Sequence, residues 1–254
     1  MQYIDVKFEE SLAVLTLNRP QKHNAFNKQL LQELQTAFGQ LAGDKRVRLV
    51  IMTGAGQKSF SSGVDLAEMI AFKNLEEARS FALQLEETNA TLLHFPKPLI
   101  AAINGYAYGG GFGLASSADV RIMVNEAKIA FPAVRLGAIL PIGCTLRLNA
   151  LIGSGRSREL LLSGRVVEAQ EALQIGLVNQ ICERGRLMDE AKKIAAEILK
   201  GSDLALEMTK QLTNQELLSQ LRQYSVSFAE NFAYLAFSEE WRRRMQNFMG
   251  EKTV

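Results

Sequence analysis

The sequence predicts an α/β fold with a helical C-terminal region, on three observations. Short β-branched runs alternate with stretches of helical periodicity, as they do where helices cover a largely parallel sheet. Two of those runs, residues 48–53 and 98–103, are followed by glycine-bearing loops, Ser61-Ser62-Gly63-Val64-Asp65-Leu66 and residues 104–113, each leading into a segment with helical potential. Beyond Arg186 the chain reads as helix almost to its end.

Taken in order, residues 4–8 and 12–17 alternate or run β-branched around Glu9-Glu10-Ser11, the pattern of a hairpin. Asn18-Arg19-Pro20 ends the second strand. Over residues 27–41, Leu30, Leu31, Leu34, Phe38 and Leu41 recur at three- and four-residue steps, so this helix lies on a sheet. Residues 47–53 return to strand and Gly54-Ala55-Gly56 turns away. Helical periodicity through Ala78, Phe81, Leu85, Thr88 and Leu92 closes at Pro96 and Pro98. Strands follow at 98–103, 119–124 and 128–131, and helices of this length between them imply right-handed crossovers.

From Pro141 the pattern is helical, broken at Gly153-Ser154-Gly155, Gly164 and Gly176, with one strand expected at 177–181. The final helical stretch concentrates aromatic residues, Tyr224, Phe228, Phe232, Tyr234, Phe237 and Trp241, a surface that must pack on the core or on a second subunit. The expected organisation is a core over residues 1–190 carrying the site and a helical region over 191–254.

Composition excludes several classes. Twenty-nine basic and 27 acidic residues leave a net charge of +2, no single-sign field for nucleic acid or an anionic membrane. The Arg242-Arg243-Arg244 run follows Glu239 and Glu240 and reads as a solvated or partner-facing helix surface. Cys144 and Cys182 have neither metal-ligand nor disulfide-framework spacing, and no metal is expected. The N-terminal residues lack a signal peptide's basic and apolar regions, so a reducing, cytoplasmic setting is the expectation. The most apolar window, 99–118, is crowded with glycine and interrupted by Asn104, unlike a bilayer span.

Three consecutive glycines show by themselves only that backbone approaches something closely. Two strand-ended loops, each with glycine and a helix start, go further. Paired amides from separate loops are a way to hold a thioester oxygen as it becomes an enolate.

Further pieces carry a resemblance. Leu17-Asn18-Arg19-Pro20 with Asn24-Ala25-Phe26, Thr53-Gly54-Ala55-Gly56, Phe60 through Leu66, and Lys97 through Gly105 are followed by Gly109-Gly110-Gly111 and Ala118-Asp119-Val120. Leu136-Gly137, Leu162-Ser163-Gly164, Ala169, Glu171-Ala172 and Gly176-Leu177-Val178 continue the order. In order and spacing the chain resembles the enoyl-CoA hydratase/isomerase family, or crotonase superfamily, over nearly its whole length. The resemblance implies a repeated ββα spiral core with a C-terminal helical region that trimerises, often as a dimer of trimers. It implies an acyl-CoA or acyl-carrier thioester as substrate, as in fatty acid metabolism, with coenzyme A entering only as part of that substrate.

Carried over by motif position, the oxyanion donors fall on Val64 and Gly110, and Lys22, His23, Ala25, Ser62 and Asp65 lie along the coenzyme A. The family's hydratases use two glutamates, and at those positions this chain has Gly113 and Ala133. Neither residue can orient water or protonate an α-carbon. Further along the second loop stand Leu140, Pro141 and Ile142, with no acid among them.

Among polar candidates, Tyr108 can reach the acyl group or simply pack, and Arg135 can bind a substrate carboxylate or be solvated. Asp65 can act on substrate or cap a helix, and one of Glu86 and Glu87 should face water. His94 suits a helix C-terminus, and Cys144 suits the core. Three readings remain open. They are a thioester decarboxylase that uses the enolate-stabilising amides, an enoyl-CoA hydratase or isomerase whose acid and base come from another residue than the two usual glutamates, and a non-catalytic acyl-CoA binding subunit.

Overall fold

The computed structural model describes residues 1–250. Strand β1 (Ile4–Glu9) turns at Glu10, whose φ is +53°, into antiparallel β2 (Leu12–Leu17), the expected hairpin. Helix α1 (Lys28–Gly43) starts where Asn27 Oδ1 accepts the Leu30 amide at 2.8 Å, and it buries Leu30, Leu31, Leu34, Phe38 and Leu41.

A unit of long strand, short strand and helix then recurs three times. The first is β3 (Leu49–Gly54) and β4 (Ser59–Ser61), followed by α2 (Leu66–Ile70) and α3 (Leu75–His94). The second is β5 (Leu99–Ile103), β6 (Tyr106–Tyr108) and α4 (Gly110–Ala115). In the third, β7 (Val120–Val124) and β8 (Lys128–Ala130) lead through a 3-10 turn at Pro132–Leu136 to α5 (Ile142–Ser163).

The long strands and the three-residue β10 (Gln180–Cys182) form a six-stranded sheet, β1-β2-β3-β5-β7-β10, parallel from β2 onward; the other short strands, with β9 (Val166–Glu168), form a second sheet, β4-β6-β8-β9. Strands β9 (Val166–Glu168) and β10 (Gln180–Cys182) flank α6 (Ala169–Gln174). Every residue of β5 is buried, as apolar runs are when helices cover both faces of a parallel sheet.

The glycine breaks fall where expected. Gly153 (φ +76°) interrupts α5, Gly164 caps it in the left-handed conformation, and Gly176 (φ +86°) turns the chain after α6. The strand expected at 177–181 is shifted to Gln180–Cys182. Leu177 donates back to Ala172, and pairing with β7 begins only after Asn179 exchanges hydrogen bonds with Arg121. β4, β6 and β9, at three residues each, are too short to show a period in sequence.

Helix α7 (Leu187–Ile198) packs on β5 and β7 and buries Leu187, Ala191 and Ala195, so the boundary at 190/191 falls inside it. Helix α8 (Asp203–Ala236) crosses α3 and α5, and α9 (Glu239–Gly250) returns to the Pro132–Leu136 turn. Of the aromatic stretch, Phe228, Phe232 and Trp241 pack inward and Phe232 meets Phe72 and Phe81, while Tyr224 and Tyr234 remain exposed. Among the described residues no helix is long and apolar enough to cross a membrane.

Candidate active site

The site begins with a buried asparagine. Asn24 is fully buried with φ +53°; its Oδ1 accepts the Arg19 amide at 3.0 Å and its Nδ2 donates to Ala55 O and Ser59 O at 3.1 and 3.0 Å. The turn carrying Lys22, His23 and Ala25 is thereby wrapped around one amide and pinned to the ends of β3 and β4. Asn104 does the same one strand over, exchanging bonds with Gly54 and donating to Gly56 O.

After β4, four consecutive amides have different fates. Ser62 donates to His23 O at 3.0 Å, Gly63 to Ser61 Oγ at 3.1 Å, and Asp65 to Phe26 O at 2.8 Å. Among the described residues the Val64 amide has no protein acceptor. A parallel bridge between Phe26 and Val64, closed by the Phe26 amide on Gly63 O at 2.7 Å, holds it in place. In the second loop Gly109, at φ +52°, donates to Ala130 O, and Gly110 opens α4 with an amide that no helical carbonyl can reach.

The two loops meet backbone to backbone. Gly63 has φ +86°, and a Cβ there would stand 2.8 Å from Tyr108 O and 3.0 Å from the Gly110 nitrogen. At Gly111 a Cβ would run into Ser61 O. The glycines are what let both amides reach one place.

Two spaces open there, sharing Ser62, Val64, Leu66, Pro132 and Leu136 in their walls. A cavity of about 720 Å³ is bordered by Lys22, His23, Ala25, Ser62, Val64, Asp65, Tyr108 and Arg135, but not by Gly110 or by Glu86, Glu87, His94 and Cys144. Gly110 and Val64 together border a narrower space of about 80 Å³, walled by Ala133, Leu140, Phe232, Trp241 and other residues, none of them ionisable.

The polar candidates are largely occupied. Asp65 faces the cavity, but its carboxylate caps α2 through the Ala67 amide at 3.0 Å and pairs with Arg19 at 2.6 Å, so the helix-cap role is the one filled. Tyr108 stacks on Tyr106 with centroids 5.4 Å apart, and burial pushes its phenol up from the usual range. Arg135 spends its Nε on Ser163 O at 2.9 Å. His94 Nδ1 meets Ala90 O at 2.8 Å at the end of α3, as its position predicted.

At Gly113, a Cβ would run into Cys144 Sγ. The neighbourhood is a buried polar cluster. Arg147 donates to Gly113 O at 2.9 Å, to Asn89 Oδ1 at 2.6 Å and to Ser116 Oγ at 3.0 Å. Burial pushes the Cys144 thiol up to about 12, and it is a core residue. Glu86 turns away from water while Glu87 faces it; its oxygens accept the Ile142 and Gly143 amides at 2.6 and 3.1 Å and cap α5, where Pro141 offers no side-chain acceptor. Burial holds its carboxyl above the usual range.

Sequence reasoning missed the contribution of α9. Trp241 and Met245 wall the narrow space, and Arg244 borders the larger cavity and donates to Arg135 O at 3.2 Å. The Arg242–Arg244 run is therefore not all solvated or partner-facing. The Trp241 Cα passes close to the space beside Gly137, at φ +72°, the one signal in the sequence for this docking being that glycine.

Comparison with known proteins agrees with this architecture. A family model described as enoyl-CoA hydratase/isomerase matches residues 7–253. The chain is 35% identical to a short-chain-enoyl-CoA hydratase of Clostridium acetobutylicum, covering 97% of this chain and 94% of the relative. It is 37% identical to a crotonyl-CoA hydratase of Syntrophomonas wolfei, over 96% and 94%. The crystal structure of an enoyl-CoA hydratase from Bacillus halodurans superposes with a TM-score of 0.90 at 26% identity, covering 96% of this chain and 99% of that one.

Proposed function

The chain belongs to the enoyl-CoA hydratase/isomerase family, and from that premise we propose that it binds an acyl thioester of coenzyme A and holds the thioester oxygen, as it becomes an enolate, between the amides of Val64 and Gly110. The observation that carries this is the pairing of two amides without protein acceptors on adjoining glycine loops, at the narrow apolar space. Fixed donors in a water-poor site stabilise developing negative charge more than water does. Lys22 and Arg244 border the outer cavity, where they suit the phosphates of coenzyme A.

Replacing Gly110 by proline removes one donor at a first helical position that tolerates proline. Gly110→Pro is expected to lower the rate on the best thioester by about 10²–10³-fold while leaving coenzyme A affinity within a few-fold. An unchanged rate would rule out Gly110 as a donor.

The relatives' names speak of hydration, but Gly113 and Ala133 stand where the family's hydratases are expected to carry glutamates. Hydration of crotonyl-CoA is expected to stay less than about 10²-fold above background, the contribution of the missing acid and base. Faster turnover would show that another group does their work.

Two observations favour decarboxylation of a malonyl-type thioester as the reaction. No ionisable side chain walls the narrow space, and loss of carbon dioxide leaves the electron pair of the broken C–C bond in the enolate without a base. Trp241, on that wall, has a buried indole N–H with no acceptor among the described residues, a donor suited to an oxygen on the acyl group. Arg135 and Tyr108 border the outer cavity beside it, from where the guanidinium would orient the departing carboxylate and the phenol, kept protonated by burial, would return a proton to carbon. Absence of carbon dioxide release from malonyl-type thioesters that demonstrably bind would eliminate this reaction.

A further inference from the structure

The narrow apolar space that Val64 and Gly110 border has a neighbour. A further cavity, of about 490 Å³, lies between α2 and the junction of α8 with α9. Its lining is mostly apolar, from Ile70, Phe72, Ala236 and Phe237, and it reaches the surface beside Arg242 and Gln246, which are exposed. Met69, Trp241 and Met245 border both spaces, and all three are buried.

The two spaces differ in what they can hold. An apolar cavity of about 150 Å³ takes a six-carbon ring, so a space of about 80 Å³ has room for roughly three or four carbons. Trp241 is held firmly between the spaces. Its amide donates to Ser238 Oγ at 3.2 Å, its Cα stands 3.2 Å from where a Cβ would be at Gly137, and Arg244, one turn on, donates to Arg135 O at 3.2 Å. The methionines can change rotamer, but a chain that displaces one of them gains its own burial at the expense of the methionine's.

We propose that Met69, Trp241 and Met245 are the specificity-determining end wall of the acyl site, closing the narrow space to acyl groups longer than butyryl, and that the cavity behind them takes a longer chain once the wall is shortened. With the thioester oxygen held between Val64 and Gly110, the reading on which this wall depends, the acyl chain enters the space that those residues border. Acyl length is then decided where α9, a helix outside the sheets, meets α2. Leu85 supplies the contrast, because it borders the narrow space and not the cavity behind it.

The test is the affinity of the full-length protein, by isothermal titration calorimetry, for coenzyme A and for its acetyl, butyryl, hexanoyl, octanoyl and decanoyl thioesters, which are saturated and carry no carboxylate to lose. Binding to the native protein is expected to tighten about fourfold per methylene from acetyl- to butyryl-CoA and to gain nothing beyond. Met69→Ala with Met245→Ala, and separately Trp241→Ala, join the two spaces. In both, the rise is expected to continue to decanoyl-CoA, which should bind about 10²-fold more tightly than it binds the native protein. Leu85→Ala widens the narrow space alone and is expected to move the break no further than hexanoyl-CoA. Native affinity that keeps rising to decanoyl-CoA, a break left at butyryl-CoA in the wall variants, or an equal continued rise in Leu85→Ala would overturn the wall and leave the thioester site standing. Butyryl-CoA that binds the native protein no more tightly than coenzyme A does would overturn both. If Trp241→Ala fails to fold, the methionine pair decides.

Discussion

At Gly113 the relevant fact is what fills the space a side chain would need. Cys144 Sγ occupies it, so Gly113→Glu alone is expected to destabilise the protein by about 1–3 kcal/mol through overpacking, read as a lower urea midpoint. Pairing it with Cys144→Gly and Ala133→Glu relieves the collision and restores both carboxylates. That triple variant is expected to hydrate crotonyl-CoA at least about 10²-fold faster than the native chain, and no gain would show that the two positions do not limit hydration. Gly63 is held differently. With φ +86°, and with Tyr108 O and the Gly110 nitrogen 2.8 and 3.0 Å from where a Cβ would stand, Gly63→Ala is expected to cost roughly 1–3 kcal/mol and to separate the two amides, lowering turnover more than binding. Val64, Gly63 and Gly110 were legible from motif spacing. Asn24 was legible only as a letter in a motif, because three hydrogen bonds to segments distant in sequence define its work.

Elements show the same division. The α5 N-terminus has proline where a capping side chain would stand, and Glu86, on α3, caps it from outside. Burial holds the Glu86 carboxyl above its ordinary 4.5, so the folded chain keeps a proton that the unfolded chain has released. Stability therefore falls as pH rises from about 4.5 through the higher folded value and is level above it. Asp44 works in another window and with the opposite sign. Its bonds from Arg46 hold it at about 2, so its contribution is lost as pH falls from 3.8 toward 2. Glu86→Gln is expected to abolish the decline above pH 4.5 and to lower the urea midpoint overall, since an amide accepts only one of the two backbone donors. An unchanged pH slope would assign the decline to another group. Helix periodicity revealed α1 and α3 in the sequence, but not that α3 supplies the cap of α5.

For the molecule as a whole, the exposed apolar residues matter most. Leu204, Met208 and Leu212 lie along one end of α8 with exposures of 61%, 53% and 72%, and Tyr234 near its other end is 74% exposed. Faces of this kind are buried in symmetric oligomers, and we expect a homotrimer or a dimer of trimers. Light scattering should then return three or six times 28.1 kDa, and Leu212→Asp with Met208→Asp should reduce it if α8 forms the interface. A mass of one chain would remove this expectation.

The sequence by itself determined the alternation of strands and helices, the glycine punctuation and, through ordered motifs, the family, and it singled out Val64 and Gly110 as the proposed amide donors. These are local or collinear signals. A strand needs its β-branched run, a turn its glycine, and a donor its place in a loop. The tertiary structure alone decided that Cys144 fills the space at Gly113, that Glu86 caps α5, that α9 walls the narrow apolar space, and that Arg121 and Arg147 share a cavity. Each of these joins residues from separate elements, and packing, not spacing along the chain, sets which side chains meet.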